Sequence, residues 1–253
     1  MIKVTILGSG NVAQQLIQAF AKAKNIEIVQ VFARNPSEIY HLINSEKIVS
    51  DYQKLLESDL FIIAVSDVSI AEVSNQIPFS NQLVAHTSGS FSLDGLNIKN
   101  RKAVFYPLQT FSKSKKVDFQ EIPICLETQF DADYQILETV AKSISNKIFK
   151  IDSQQRKSLH VAAVFVCNFV NHLYQMGHDI CNENNVDFEI LKPLIQETAN
   201  KIMILSPVNA QTGPAIRDDN ETINSHLNFL SNENQKDIYK LLTKSIIDNA
   251  KKL

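Results

Sequence analysis

Lys157, His160, Asn168, Asn171, Gln175 and His178 fall on one face of a long helical stretch, within an arc of roughly 100° at the helical repeat. A solvent face is normally rich in Lys and Glu, so this stripe of mostly neutral hydrogen-bonding groups suits a cleft wall; a solvent face or an interhelical hydrogen-bond seam is the other use. Histidine as a residue type exchanges protons near neutrality, which makes His160 the candidate proton donor, with Asn168 orienting a substrate and Lys157 beside it. A histidine satisfied within helix packing is the rival role. A second polar cluster, His86-Thr87-Ser88-Gly89-Ser90, follows the apolar run Leu83-Val84-Ala85. Ser88, with the backbone N–H groups of its neighbours Thr87 and Gly89, could hold a carboxylate; a plain Ser-Gly loop is the alternative. Thr110, in Tyr106-Pro107-Leu108-Gln109-Thr110-Phe111, and Arg217, in Thr212-Gly213-Pro214-Ala215-Ile216-Arg217-Asp218-Asp219, complete the substrate candidates. Arg217 serves either as an anion clamp or in an ion pair with Asp218 or Asp219. Lys113, Lys115 and Lys116 are solvated, or suit a phosphorylated substrate.

The cofactor candidates lie earlier. Ile2 to Leu7 reads as a buried strand running into Gly8-Ser9-Gly10-Asn11-Val12-Ala13, after which Val12, Leu16 and Phe20 recur at helical spacing. This is strand, G-x-G-x-x-A, helix: Gly8 for the tight turn, Gly10 for close approach of backbone to a pyrophosphate, Ala13 for close helix packing, and the helix N-terminus for the phosphate charge. A second strand, Ile26 to Ala33, ends at Arg34-Asn35, where an NAD-binding fold would carry an acid for the ribose 2′-hydroxyl. A carboxylate would repel a 2′-phosphate and an arginine fork can pair with one, so the expected cofactor is NADP(H); an ordinary loop arginine is the alternative. Asp59 to Val65 is a continuous apolar run of the kind found in a parallel strand covered on both faces, and its exit at Ala64, Val65 and Ser66 should edge the same cleft.

These pieces need an α/β scaffold. Further strands are expected at Ile48-Val49, around Ala103 to Phe105, and at Ile122 to Leu126 and Lys147 to Ile151; helices are expected at Ser37 to Ile43, Val68 to Gln76 and Asp133 to Ser145. From Asp152 the pattern is helical only. Asp152 and Gln155 form a capping pair for a helix reaching to about Cys181, and Asp219 is an N-cap for a later one. The expected organisation is a Rossmann domain over 1–151 followed by an all-α domain over 152–253 that carries substrate contacts and dimerises through its apolar helices. The 253 residues, 44% hydrophobic, hold 27 acids against 25 bases, so no global positive field favours nucleic acid or an anionic membrane. Cys125, Cys167 and Cys181 stand far apart and form no C-x-x-C pair, which argues against a disulfide framework, a zinc ribbon or a redox dithiol; they read as reduced core cysteines, and no metal site is expected. The longest comparable apolar run, Val161 to Cys167, is far short of the roughly 18 to 20 residues of a membrane span. With no secretory pattern at the N-terminus, a cytoplasmic location is expected.

The glycine turn, His86-Thr87-Ser88-Gly89, Tyr106 to Phe111, the His160 to Asn168 helix and Thr212-Gly213-Pro214 together resemble one family, the Rossmann-like NADP oxidoreductases with a helical C-terminal domain of unknown function. That family is similar to the group of 6-phosphogluconate dehydrogenase, hydroxyisobutyrate dehydrogenase, ketopantoate reductase and pyrroline-5-carboxylate reductase. The resemblance implies NADP(H), a small-molecule substrate in an interdomain cleft, a homodimer, and hydride transfer to or from a small carbonyl, imine or hydroxy acid. Several enzymes of that group place a Lys and an Asn of the long helix beside the reacting carbon; the spacing of Lys157 and Asn168 departs from that pattern. The alternatives are an NADP-binding regulatory module without turnover and a deazaflavin-dependent NADP oxidoreductase.

Overall fold

The computed structural model describes residues 1–112, 115 and 117–251. The three-lysine loop is therefore only partly visible: Lys113 and Lys116 lie outside the described residues. The described chain divides into two compact units, Met1–Cys167 and Asn168–Leu253.

The first unit is built on an eight-stranded sheet: β1 (Ile2–Leu7), β2 (Ile26–Phe32), β3 (Ile48–Val49), β4 (Leu60–Ile63), β5 (Leu83–His86), β6 (Arg101–Pro107), β7 (Ile124–Thr128) and β8 (Ile148–Lys150), in the order β3-β2-β1-β4-β5-β6-β7-β8. All pairs are parallel except β6 with β7. The order reverses between β1 and β4, the point at which an open α/β sheet leaves a crevice at its strand ends. Alternation of side chains explains the continuous apolar runs. In β4, Leu60 and Ile62 face one core with Leu16, Ile17 and Phe20 of α1 (Asn11–Phe20) and Leu137 and Val140 of α3 (Tyr134–Lys142). Phe61 and Ile63 face the other core, with Ile70 and Val73 of α2 (Asp67–Gln76).

The expected helix over Ser37 to Ile43 does not form: Pro36–Glu38 is a single 3₁₀ turn and turns follow it. The segment is shorter than a self-sustaining helix, and it is fixed instead by burying Ile39, whose carbonyl accepts the Leu42 N–H. The cysteine expectation also needs correction. All three are free thiols, but only Cys125 is in the core; Cys167 is exposed and Cys181 half-buried.

After β8 the chain is helical. The Asp152 carboxylate accepts the Gln155 N–H while the Gln155 side chain accepts the Asp152 N–H, a full capping box that starts α4 (Ser153–Ala163). The long helix anticipated to Cys181 is interrupted by a π turn at Val164–Phe169 before α5 (Val170–Glu183). Although strands end at Lys150, the first compact unit extends through α4.

The second unit contains α5 with α6 (Lys192–Lys201), α7 (Pro207–Ala210), α8 (Asn220–Phe229) and α9 (Glu233–Ala250). Asp219 caps α8 by accepting the Thr222 N–H. Only Ala215, Ile223 and Gln235 are buried among its described residues. No helix of the described residues is long and apolar enough to cross a membrane.

Candidate functional site

The β1 turn shows why glycine stands where it does. Gly8 has φ +139°, and a Cβ there would lie 2.2 Å from the Ala64 carbonyl oxygen, so the turn and its contact with the β4 exit both require glycine. A Cβ on Gly10 would meet nothing within 4 Å; the backbone there borders open space. Gly10 is also the N-cap of α1, with no side chain capping the helix and no acid in its first turn, so the leading N–H groups and the positive helix end remain available to an anion.

That space is a cleft of about 450 Å³. Gly8, Ser9, Gly10, Asn11, Val12, Arg34, Ala64, Val65 and Ser66 all line it, so nearly the whole set of cofactor candidates is brought together; Asn35, the remaining one, accepts the Ser37 hydroxyl with its own side chain. Sequence reasoning missed the other wall. Phe32 and Tyr52 stack at 3.9 Å between centroids, and Glu38 and Glu72 also line the cleft. Burial and the Glu72 charge raise the Tyr52 phenol pKa, while Arg34, which lines the same cleft, opposes the rise. Uncapped amides, room beside Gly10 and an arginine at the β2 exit fit a phosphorylated dinucleotide.

A second cluster forms on the same unit beyond β5 and β6. The Ser88 hydroxyl accepts the N–H groups of Ser90 (3.1 Å) and Phe91 (2.9 Å), and the Ser88 N–H donates to His86 Nδ1 (3.2 Å). The Thr87 N–H donates to the Ile63 carbonyl, so Gly89 carries the turn's one amide without an acceptor among the described residues. Ser88 thus shapes the turn with its oxygen, and its own proton is what it can still donate. Ser90 donates to Asp67, the residue after Ser66, tying this turn to the cofactor cleft.

Arg156 and Glu127, neither anticipated from sequence, hold the turn in place. Arg156 is 1% exposed; it donates to the carbonyls of Ser88 (3.2 Å), Gly89 (3.3 Å) and Phe91 (2.8 Å), and pairs with Glu127 at 3.2 Å. A buried cation is tolerated because the carboxylate and carbonyl oxygens replace its water. One helical turn later His160 lies half-buried over Gly89, where a Cβ would come within 2.5 Å of His160 Nδ1. The Tyr106 hydroxyl sits 3.1 Å from that same nitrogen. Tyr106 is the next-to-last residue of β6, before Pro107, and that place near the strand exit was the available sequence signal for it.

The remaining candidates are less engaged. Thr110 is exposed and donates through its N–H and hydroxyl to the neighbouring Gln109 side chain; Asn11 donates to the Phe111 carbonyl, fastening that loop to the glycine turn. Lys157 is exposed. Asn168 and Arg217 belong to the second unit, both exposed; the pKa of Asp219 is lowered first by its hydrogen bonds from Thr222, with Arg217 acting in the same direction.

Comparison with known proteins bears on the family and the fold. The family described as NADP oxidoreductase coenzyme F420-dependent matches residues 3–87, and a domain of unknown function, DUF2520, matches residues 122–246. Among solved structures, the "putative NADP oxidoreductase BF3122" from Bacteroides fragilis shares 36% identity over 98% of both chains, with a TM-score of 0.88. Protein TM1727 from Thermotoga maritima shares 19% over 98% of both chains (TM-score 0.76), and an imine reductase from Pseudomonas sp. shares 15% over 80% of this chain and 77% of its own (TM-score 0.60). At those identities the last two show the fold. No curated protein matches the chain.

Proposed function

The chain belongs to the family of Rossmann-type NADP oxidoreductases with a DUF2520 C-terminal domain, and from that premise we propose that it is an NADP(H)-dependent oxidoreductase of a small carbonyl, imine or hydroxy acid. The observation that carries the proposal is the glycine cradle continuous with an arginine-walled cleft. The amides of Ser9 to Val12 and the α1 N-terminus hold the pyrophosphate, Arg34 and Asn35 meet the ribose 2′-phosphate, and Ala64 to Ser66 form the opposite edge. The nicotinamide, when bound, supplies or accepts the hydride. His160 holds the proton exchanged with the substrate oxygen or nitrogen, and Gly89 N–H and the Ser88 hydroxyl steady the substrate's polar end. An imine is one favoured substrate class, because an imine reductase shares the fold.

The test is NADPH oxidation, followed optically, against a panel of cyclic imines and keto acids. Turnover of one class is expected, and His160→Ala should lower it by roughly two to four orders of magnitude with little change in NADPH affinity. NADPH binding without oxidation by any member would favour a regulatory module. Reduction of a deazaflavin alone would favour the second reading, for which the coenzyme F420 description of the matching family speaks.

A further inference from the structure

We propose that Tyr106 is the positioning partner of His160: its hydroxyl fixes the imidazole with the proton on Nε2, and its own proton passes to Nδ1 when Nε2 gives its proton to the substrate. The proton-transfer half of this proposal rests on the role given to His160 above; the tautomer half does not.

The geometry holds the two rings as a pair. Their centroids are 6.2 Å apart at 67°, and the Tyr106 hydroxyl is 3.1 Å from His160 Nδ1. Gly89 is the floor beneath both, since a Cβ there would lie 2.5 Å from Nδ1 and 2.9 Å from Tyr106 Cζ. Arg156, on the same helix as His160, pins the carbonyls of that floor, so helix, turn and strand end are fixed to one another. Nδ1 therefore has a permanent neighbour, while Nε2 makes no hydrogen bond among the described residues.

By geometry either atom of this pair can carry the hydrogen, and in the proposed arrangement Tyr106 is the donor. It is 8% exposed, and burial pushes its phenol up to about 12; the charges of Cys125 and Cys167 as thiolates and of Asp67 act in the same direction, and Arg156 opposes them. The hydroxyl thus keeps its proton across the neutral range and has it to donate, and in the proposed pair Nδ1 accepts it. A neutral imidazole that accepts at Nδ1 carries its hydrogen on Nε2. When the Nε2 proton moves to the substrate nitrogen or oxygen, the Tyr106 proton moves to Nδ1. The ring stays neutral, and the phenolate left behind takes a proton from water. Delivery then needs no doubly protonated imidazole and persists above neutral pH.

Two measurements on the full chain test this. The ring-nitrogen NMR shifts of His160, identified by their loss in His160→Gln, should show one Nε2–H tautomer in the unmodified protein and a mixture in Tyr106→Phe, which keeps the ring and removes the hydroxyl. An Nδ1–H or mixed state in the unmodified protein, or identical patterns in the two, overturns the proposal. With NADPH and pyrroline as the probe, the unmodified rate should hold between about pH 7 and 9, whereas Tyr106→Phe, which has no relayed proton to draw on, should fall steeply as the pH rises over that range. Parallel profiles overturn the relay. If pyrroline is not reduced at all, the functional reading fails for that imine, and the tautomer measurement still decides the role of Tyr106.

Discussion

His86 is wholly buried at the end of β5, edge-on to Phe91 at 5.3 Å, with Nδ1 accepting the Ser88 N–H and Nε2 without a hydrogen-bond partner among the described residues. Burial, reinforced by Arg156 and opposed by Asp67, lowers its pKa to about 3. In an unfolded chain the same imidazole takes a proton near pH 6.5. As pH falls below that value the unfolded state gains a proton the folded state refuses, so stability drops progressively toward pH 3, by at most roughly 5 kcal/mol. The lowered carboxylates Asp131, Asp219 and Glu233 lose their folded-state advantage only as pH falls through the ordinary carboxylate range and below it, so the slope between about pH 6 and 5 reports His86. His86→Gln should flatten the melting-temperature profile there; an unchanged slope would contradict the assignment. Gly8 was legible because its requirement is local, a positive φ at a strand end. Tyr106 was not, because its partner His160 lies far along the chain and only the fold brings the hydroxyl to Nδ1.

Among the elements, α4 was foreseen down to its capping box, yet its inward face was not. Arg156 reads as an exposed helix cation until the Ser88 turn and Glu127 on β7 are placed around it. Removing one member of a buried pair leaves the other charge uncompensated, so Arg156→Met and Glu127→Leu should each cost about 3 to 5 kcal/mol in chemical denaturation, and the double replacement less than their sum. Additive losses would mean the two side chains act independently. The helical wheel that put Asn168 on one stripe with His160 assumed an unbroken repeat, and the π turn at Val164–Phe169 interrupts it. Local apolar spacing carries no signal for such a turn.

At the scale of the molecule, the doubly wound sheet and its helical sequel were readable from apolar periodicity and the glycine turn, since both depend on local pattern. Assembly was not, because it depends on surfaces that meet only after folding. The second unit leaves Leu194, Met203, Ile204 and Leu241 more than 60% exposed and buries almost nothing of its own. Apolar helices without a core call for a partner surface, and we propose a homodimer through them. Sedimentation at micromolar concentration should give a dimer, weakened by Ile204→Glu; a monomeric unmodified protein would count against it. The central claim is that the β1 cradle and Arg34 form an NADP(H) site. Fluorescence titration with NADPH and NADH tests it most directly: the unmodified protein should prefer NADPH by roughly ten- to a hundredfold, and Arg34→Asp should abolish or reverse the preference. Equal affinities for the two, or a preference untouched by Arg34→Asp, would contradict it.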